Sequence, residues 1–175
     1  MIRMSMFIIL LFAAPFAMAY TYTLEISEQE IQNKITAIMP MERKILVISV
    51  IISDPKVTLI KESNKIAIFT NIAVAAPDGA IGKGSVNFTG TLSYDATQGA
   101  FYFKDPVIEN LEIDTLPEQY ASDVKQITQL AFTHAMAVHP VYKLQDNDLR
   151  QKYVKSVLES IVVNDGKLLV TLKPF

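Results

Sequence analysis

The stretch from Ile45 to Ile113 reads as β almost throughout, and this more than anything else limits what the chain can fold into. Ile45 to Ile52 is a nearly unbroken apolar run rich in β-branched residues, which predicts a strand covered on both faces. Val57 and Leu59 alternate with polar neighbours, Ser63-Asn64 marks a turn, and Ile66, Ile68, Ile72 and Val74 continue the pattern. Pro77-Asp78-Gly79 turns the chain again. Val86, Phe88, Leu92 and Tyr94 then alternate with small polar residues, with Gly90 as a bend or bulge. Asp95 to Gly99 leads into Ala100 to Phe103, and Val107 to Ile113 supplies another strand.

Helical signals lie on either side of this stretch. Ser27 and Glu30 form a capping box, and Ile31, Ile35 and Ile38 share one face before Pro40 stops the helix. Pro117 opens a second helix in which Val124, Ile127, Ala131 and Val138 keep helical spacing up to Pro140, about 30 Å of helix. Asp146-Asn147-Asp148 can cap a short helix through Tyr153. The chain then closes with a hairpin, Val157–Val163 and Lys167–Lys173 around Asn164-Asp165-Gly166. The expected class is α+β, a meandering antiparallel sheet with one long helix and a short N-terminal one. Pro and Gly are spread singly and no internal repeat is visible, which predicts one domain over residues 20–175.

Residues 1–19 have a different purpose. Arg3 precedes the apolar run Met6 to Ala14, and Ala17-Met18-Ala19 ends the segment with small residues at the −3 and −1 positions. That is the pattern of a secretory signal peptide, too short to span a bilayer. It predicts cleavage after Ala19, a periplasmic or secreted chain beginning at Tyr20, and no transmembrane anchor. The mature chain has 15 basic and 18 acidic side chains, a net charge of about −3, with no basic patch for nucleic acid. Cysteine is absent, which removes lipid attachment through an N-terminal Cys, thiolate metal sites and thiol catalysis.

Catalytic patterns fail on their spacing. Gly79 to Ser85 lacks the phosphate-loop spacing, and β residues follow where a helix would have to begin. Asp146-Asn147-Asp148 lacks the glycine and the twelfth-position glutamate of a calcium loop. His134 and His139 are five apart, not the three or four that set two imidazoles on one metal. Of Glu109, Glu112 and Asp114, strand alternation puts only the last two on a common face. No Gly-x-Ser-x-Gly elbow occurs. Asn87-Phe88-Thr89 matches a glycosylation acceptor, which matters only in a eukaryotic secretory pathway. The expectation is a protein that is not an enzyme and needs no cofactor or metal.

The order of landmarks resembles the YceB-like family of small bacterial envelope proteins. The resemblance rests on Ser27 to Gln32 with Pro40, Asp54-Pro55-Lys56-Val57-Thr58-Leu59, Asn64-Lys65-Ile66 and Gly90-Thr91-Leu92-Ser93-Tyr94. It continues in Gly99 to Pro106, His139-Pro140-Val141-Tyr142-Lys143-Leu144 and Asp165-Gly166. It implies a tubular lipid-binding fold, in which a strongly curved antiparallel sheet wraps one long helix and holds acyl chains or other apolar ligands between them. Many members carry a lipid-modified Cys at the cleavage site; Tyr20 stands there in this chain.

The residues permit such a groove, since Ala131, Ala135 and Ala137 are small and the strands are one-sided. The expected wall is Val57, Leu59, Ile66, Ile68, Val86, Phe88, Leu92, Ile127 and Ala131. Packed together, the same side chains would fill a solid core. The alternative function is a non-catalytic envelope scaffold or assembly protein that works through protein contacts.

Overall fold

A computed structural model describes residues 21–45, 47–144 and 158–172. The expected signal peptide, the helix expected after Asp146 and the last residues of the closing hairpin lie outside the described residues. The chain begins with β1 (Tyr22–Ser27) and α1 (Glu28–Ala37). β2 (Met41–Ile45), β3 (Ile48–Ile60), β4 (Lys65–Ala75), β5 (Ile81–Asp95) and β6 (Ala100–Asp114) follow. A 3-10 turn (Glu118–Tyr120) leads into α2 (Ala121–Val138), then β7 (Tyr142–Lys143) and the hairpin β8 (Leu158–Asn164) and β9 (Lys167–Leu172).

The expectation of an α+β fold with one strongly curved sheet wrapped around a single long helix is corrected. The described chain is mostly β and forms two antiparallel sheets, one ordered β1-β9-β8 and the other β2-β3-β4-β5-β6-β7. α2 has 18 residues and lies against the larger sheet. The physical reason is long-range pairing. β1 hydrogen-bonds to β9, from Tyr22 opposite Leu172 to Ser27 opposite Lys167, so the first strand joins the closing hairpin and not the meander. Alternation along a strand shows which face is buried but not which strand lies beside it.

Most local expectations hold. Glu30 N–H donates to Ser27 Oγ at 3.2 Å and Ser27 N–H to Glu30 Oε2 at 2.8 Å, which closes the capping box of α1. The run from Ile45 to Ile52 behaves differently from its expectation: the chain reverses within it. Ile45 ends β2 and pairs with Ile48 of β3, and along β3 Val50 and Ile52 are buried while Ile51 is exposed. β2 itself, Met-Glu-Arg-Lys-Ile, has too many charges to signal a strand; charged residues are what an edge strand carries to deter pairing with another chain.

Although no repeat is visible in the sequence, one device occurs twice. Asp54-Pro55 lies opposite the single residue Thr70, and Asp105-Pro106 opposite Gly90, so each pair makes a bulge; both aspartates have φ 51°. A β-carbon on Gly90 would sit 2.6 Å from the Phe103 ring, which explains glycine there. A helix glutamine closes each bulged edge. Gln32 of α1 accepts from Val57 N–H at 2.8 Å and donates to the Pro55 carbonyl at 2.6 Å. Gln129 of α2 accepts from Ile108 N–H at 3.1 Å and donates to the Pro106 carbonyl at 2.6 Å. Each amide also donates to a threonine one helical turn on, Thr36 or Thr133. Asn64 does the same for β8, accepting from Val163 N–H and donating to the Ile161 carbonyl. One primary amide thus stands in for a missing strand at three open edges, satisfying backbone groups that would otherwise need water or another chain.

The core is continuous across both sheets. Leu24, Ile26, Leu168 and Val170 from the small sheet join Ile31 and Ile35 of α1 and the inward residues of β3 to β6. Phe132 of α2 is its centre: its ring stacks on Phe88 of β5 with centroids 3.7 Å apart and meets Phe103 of β6 edge-on at 5.9 Å.

Candidate functional site

The nine residues expected to form a ligand wall sit mainly in this core. Val57, Leu59, Ile66, Ile68, Val86 and Phe88 are buried among other side chains, and Leu92 is half-buried against them. Phe88 is fully covered by the Phe132 ring and its neighbours. Alternation identified the inward faces; the space between them is filled by Phe132 and Met136, which the helical spacing of Val124, Ile127 and Ala131 left out. Ile127 and Ala131 differ from the rest, since each also borders a surface pocket.

The pocket beside Ile127 is a mainly apolar opening next to α2. It holds about 460 Å³, within the usual range for small-molecule sites, and lies between α2 and the turn joining β2 to β3. Ile45, Val47 and Ile48 supply one wall and Ile127 and Leu130 the other. Val47 is 59% and Leu130 52% exposed, so both present apolar surface to the opening without filling it. Pro77, Tyr120, Asp123 and Gln126 form the rim. The Tyr120 hydroxyl bonds to Asp78 Oδ2 at 3.2 Å, tying the start of α2 to the β4–β5 turn and fixing the width of that rim.

A second pocket, about 270 Å³, follows along the same two elements, between Met41 and Arg43 of β2 and Ala131, His134 and Val138 of α2. Both histidines border it and are exposed, and no group of three metal-ligating side chains occurs among the described residues. A third pocket lies on the other side of α2, by Tyr102, Lys104 and Thr133, and is more polar. The phosphate-loop pattern resolves as the β4–β5 turn and the first residues of β5. At Gly84 a β-carbon would come within 1.9 Å of the Glu112 carbonyl, so that glycine serves strand packing. Glu109 is the extra residue of a bulge, which shifts the strict alternation assumed for Glu109, Glu112 and Asp114; its carboxylate accepts from Thr89 Oγ1. Asn87 sits within the ladder between Phe69 and Asn110.

Val47, Leu130 and Arg43 were not found from sequence. Leu130 carries the one usable signal, a large apolar residue three after Ile127 that widens the apolar stripe of α2 beyond what one sheet face covers.

These features define a mostly β domain with glutamine-closed edges and an open apolar groove beside its longer helix. Residues 26–167 match DUF1439, described as a protein of unknown function, and the chain belongs to that family. No curated protein matches it.

Proposed function

We propose that the protein is an exported, non-catalytic binding protein that takes a lipid or other apolar ligand in the groove between α2 and the β2–β3 turn. The observation that carries this reading is the convergence of exposed Val47 and Leu130 on an opening already lined by Ile45, Ile48 and Ile127. Single exposed apolar residues are ordinary, but several around one concavity mark a place where an apolar partner removes surface from water. The YceB-like resemblance and the segment Arg3 to Ala19 support an envelope location.

Organic extraction and mass spectrometry of protein purified from its native compartment test the reading. The expected result is a co-purifying amphiphile on a chain beginning at Tyr20, and reduced amphiphile for Leu130→Asp. A clean extract from wild type contradicts it. The scaffold reading draws on a different surface, the outer face of the large sheet, where Phe69 and Val107 are 45% and 55% exposed. It predicts a crosslinked protein partner lost on Phe69→Ser, with no bound small molecule.

A further inference from the structure

We infer that the occupant of this groove is a single-chain amphiphile with an acidic head group, its chain between Val47 and Leu130 and its head at Arg43. The inference rests on the apolar-ligand reading above and adds an orientation and a charge to it.

The two pockets on this side of α2 run in sequence along both walls. β2 supplies Arg43 to one and Ile45 to the next, and α2 supplies His134 to the first and Ile127 with Leu130 to the second. Seven helical residues from Ile127 to His134 span about 10 Å. The strand residues from Arg43 to Ile45 add about 7 Å along β2 before the chain reverses. Both pockets are lined mainly by apolar side chains, and the second adds Arg43 and two imidazoles, an arrangement that suits one chain with a head group better than a compact apolar molecule.

The charge at the polar end is set by β2. Met41, Arg43 and Ile45 alternate onto one face of the strand, and Met41 and Ile45 pack against the core, so Arg43 belongs to the side facing α2. Its guanidinium forms no ion pair or side-chain hydrogen bond among the described residues. The imidazoles of His134 and His139 border the same end and are likewise without side-chain hydrogen bonds there. Glu42 also borders it, but its carboxylate accepts from Ser49 Oγ at 3.1 Å and strand alternation turns it to the opposite side of β2 from Arg43. An unpaired guanidinium fork beside two imidazoles presents donors to a carboxylate or a phosphate monoester.

The test is a set of titrations with dodecanoate, dodecyl phosphate, dodecanol and dodecyltrimethylammonium, each kept below micelle-forming concentration, on wild type and Arg43→Gln. Wild type should prefer at least one of the acids over the alcohol by about tenfold or more, the scale of a hydrogen bond to a charged group. That preference should collapse in Arg43→Gln and survive in part in Arg43→Lys. The carboxylate and phosphate arms separate a free fatty acid from a phosphate-headed lipid. Equal binding of dodecanol and both acids overturns the inference and leaves the groove reading intact, as does preference for the ammonium. A preference unchanged in Arg43→Gln overturns the placement of the head. Binding of none of the four overturns the groove reading as well.

Discussion

The two faces of α2 are built from similar residues and end differently. On one face Phe132, Met136 and Val124 are fully enclosed, and Phe132 closes the interior by stacking on Phe88. On the adjoining face Leu130, beside Val47, and Val138, beside Met41 and Arg43, are half exposed, and the space between α2 and β2 stays open. Apolar composition alone therefore does not distinguish a core from a binding groove. What distinguishes them is whether an aromatic ring is there to fill the gap. Within the large sheet, β5 and β6 offer Phe88 and Phe103 opposite the closed face, while the edge strand β2 offers Met41, Arg43 and Ile45 opposite the open one.

The largest expected effect comes from opening the closed face. Phe132→Ala should cost about 3–5 kcal/mol by urea denaturation, the range for losing a buried aromatic side chain. It should behave as a core mutation, with a lower midpoint for unfolding. A loss below 1 kcal/mol would mean that the interior is itself a pliable ligand space and that the contrast between the two faces is false.

The edge clamps hold α2 in the position that makes both faces. Gln129→Glu keeps the shape but sets a carboxylate against the Pro106 carbonyl, where an amide N–H now donates at 2.6 Å. The expected loss is about 1–3 kcal/mol at neutral pH. The introduced acid has its folded-state pKa raised, because only its protonated form can donate. Its stabilising contribution is therefore present below the unfolded-state value and disappears as pH rises through the folded-state value. Denaturation at pH 4 and pH 7 should show the variant closer to wild type at the lower pH. Gln32→Glu on α1 should repeat that dependence at the Pro55 carbonyl if the two bulges are equivalent.

A smaller effect of opposite sign is expected within the closed face. The Thr128 hydroxyl is buried and has no hydrogen-bond partner among the described residues. Thr128→Val should stabilise the protein by about 1 kcal/mol, since removing an unsatisfied buried polar group is favourable. A destabilised Thr128→Val would show that the hydroxyl is satisfied in solution, and that the closed face admits water.

How far the sequence could be read follows from the range of each interaction. The capping box at Ser27 and Glu30, the turns at Asn64 and Gly79 and the hairpin at Asp165-Gly166 depend on neighbours within a few residues, and all are legible. The inward faces of β3, β4 and β5 are legible too, because a period of two needs no partner. The pairing of β1 with β9 is not, because it joins residues at opposite ends of the chain and nothing local specifies it. Nor is the reversal between Ile45 and Ile48, since a continuous apolar run hides a turn. The candidate site was missed for the same reason: Ile127 and Ala131 were visible as inward positions, but the groove exists only where α2 meets an edge strand too charged to be recognised as one.

The central claim, that the open face of α2 binds an apolar chain and the closed face does not, is tested most directly with one substitution. Leu130 is half exposed, so Leu130→Asp should change stability by no more than about 0.5 kcal/mol. Titration of an apolar fluorophore into wild type and Leu130→Asp, followed by displacement with dodecanoate, should show saturable binding to wild type. In the variant, affinity should fall about tenfold or more, with the thermal midpoint unchanged. Equal binding by the two proteins, or no saturable binding by wild type, would contradict the account.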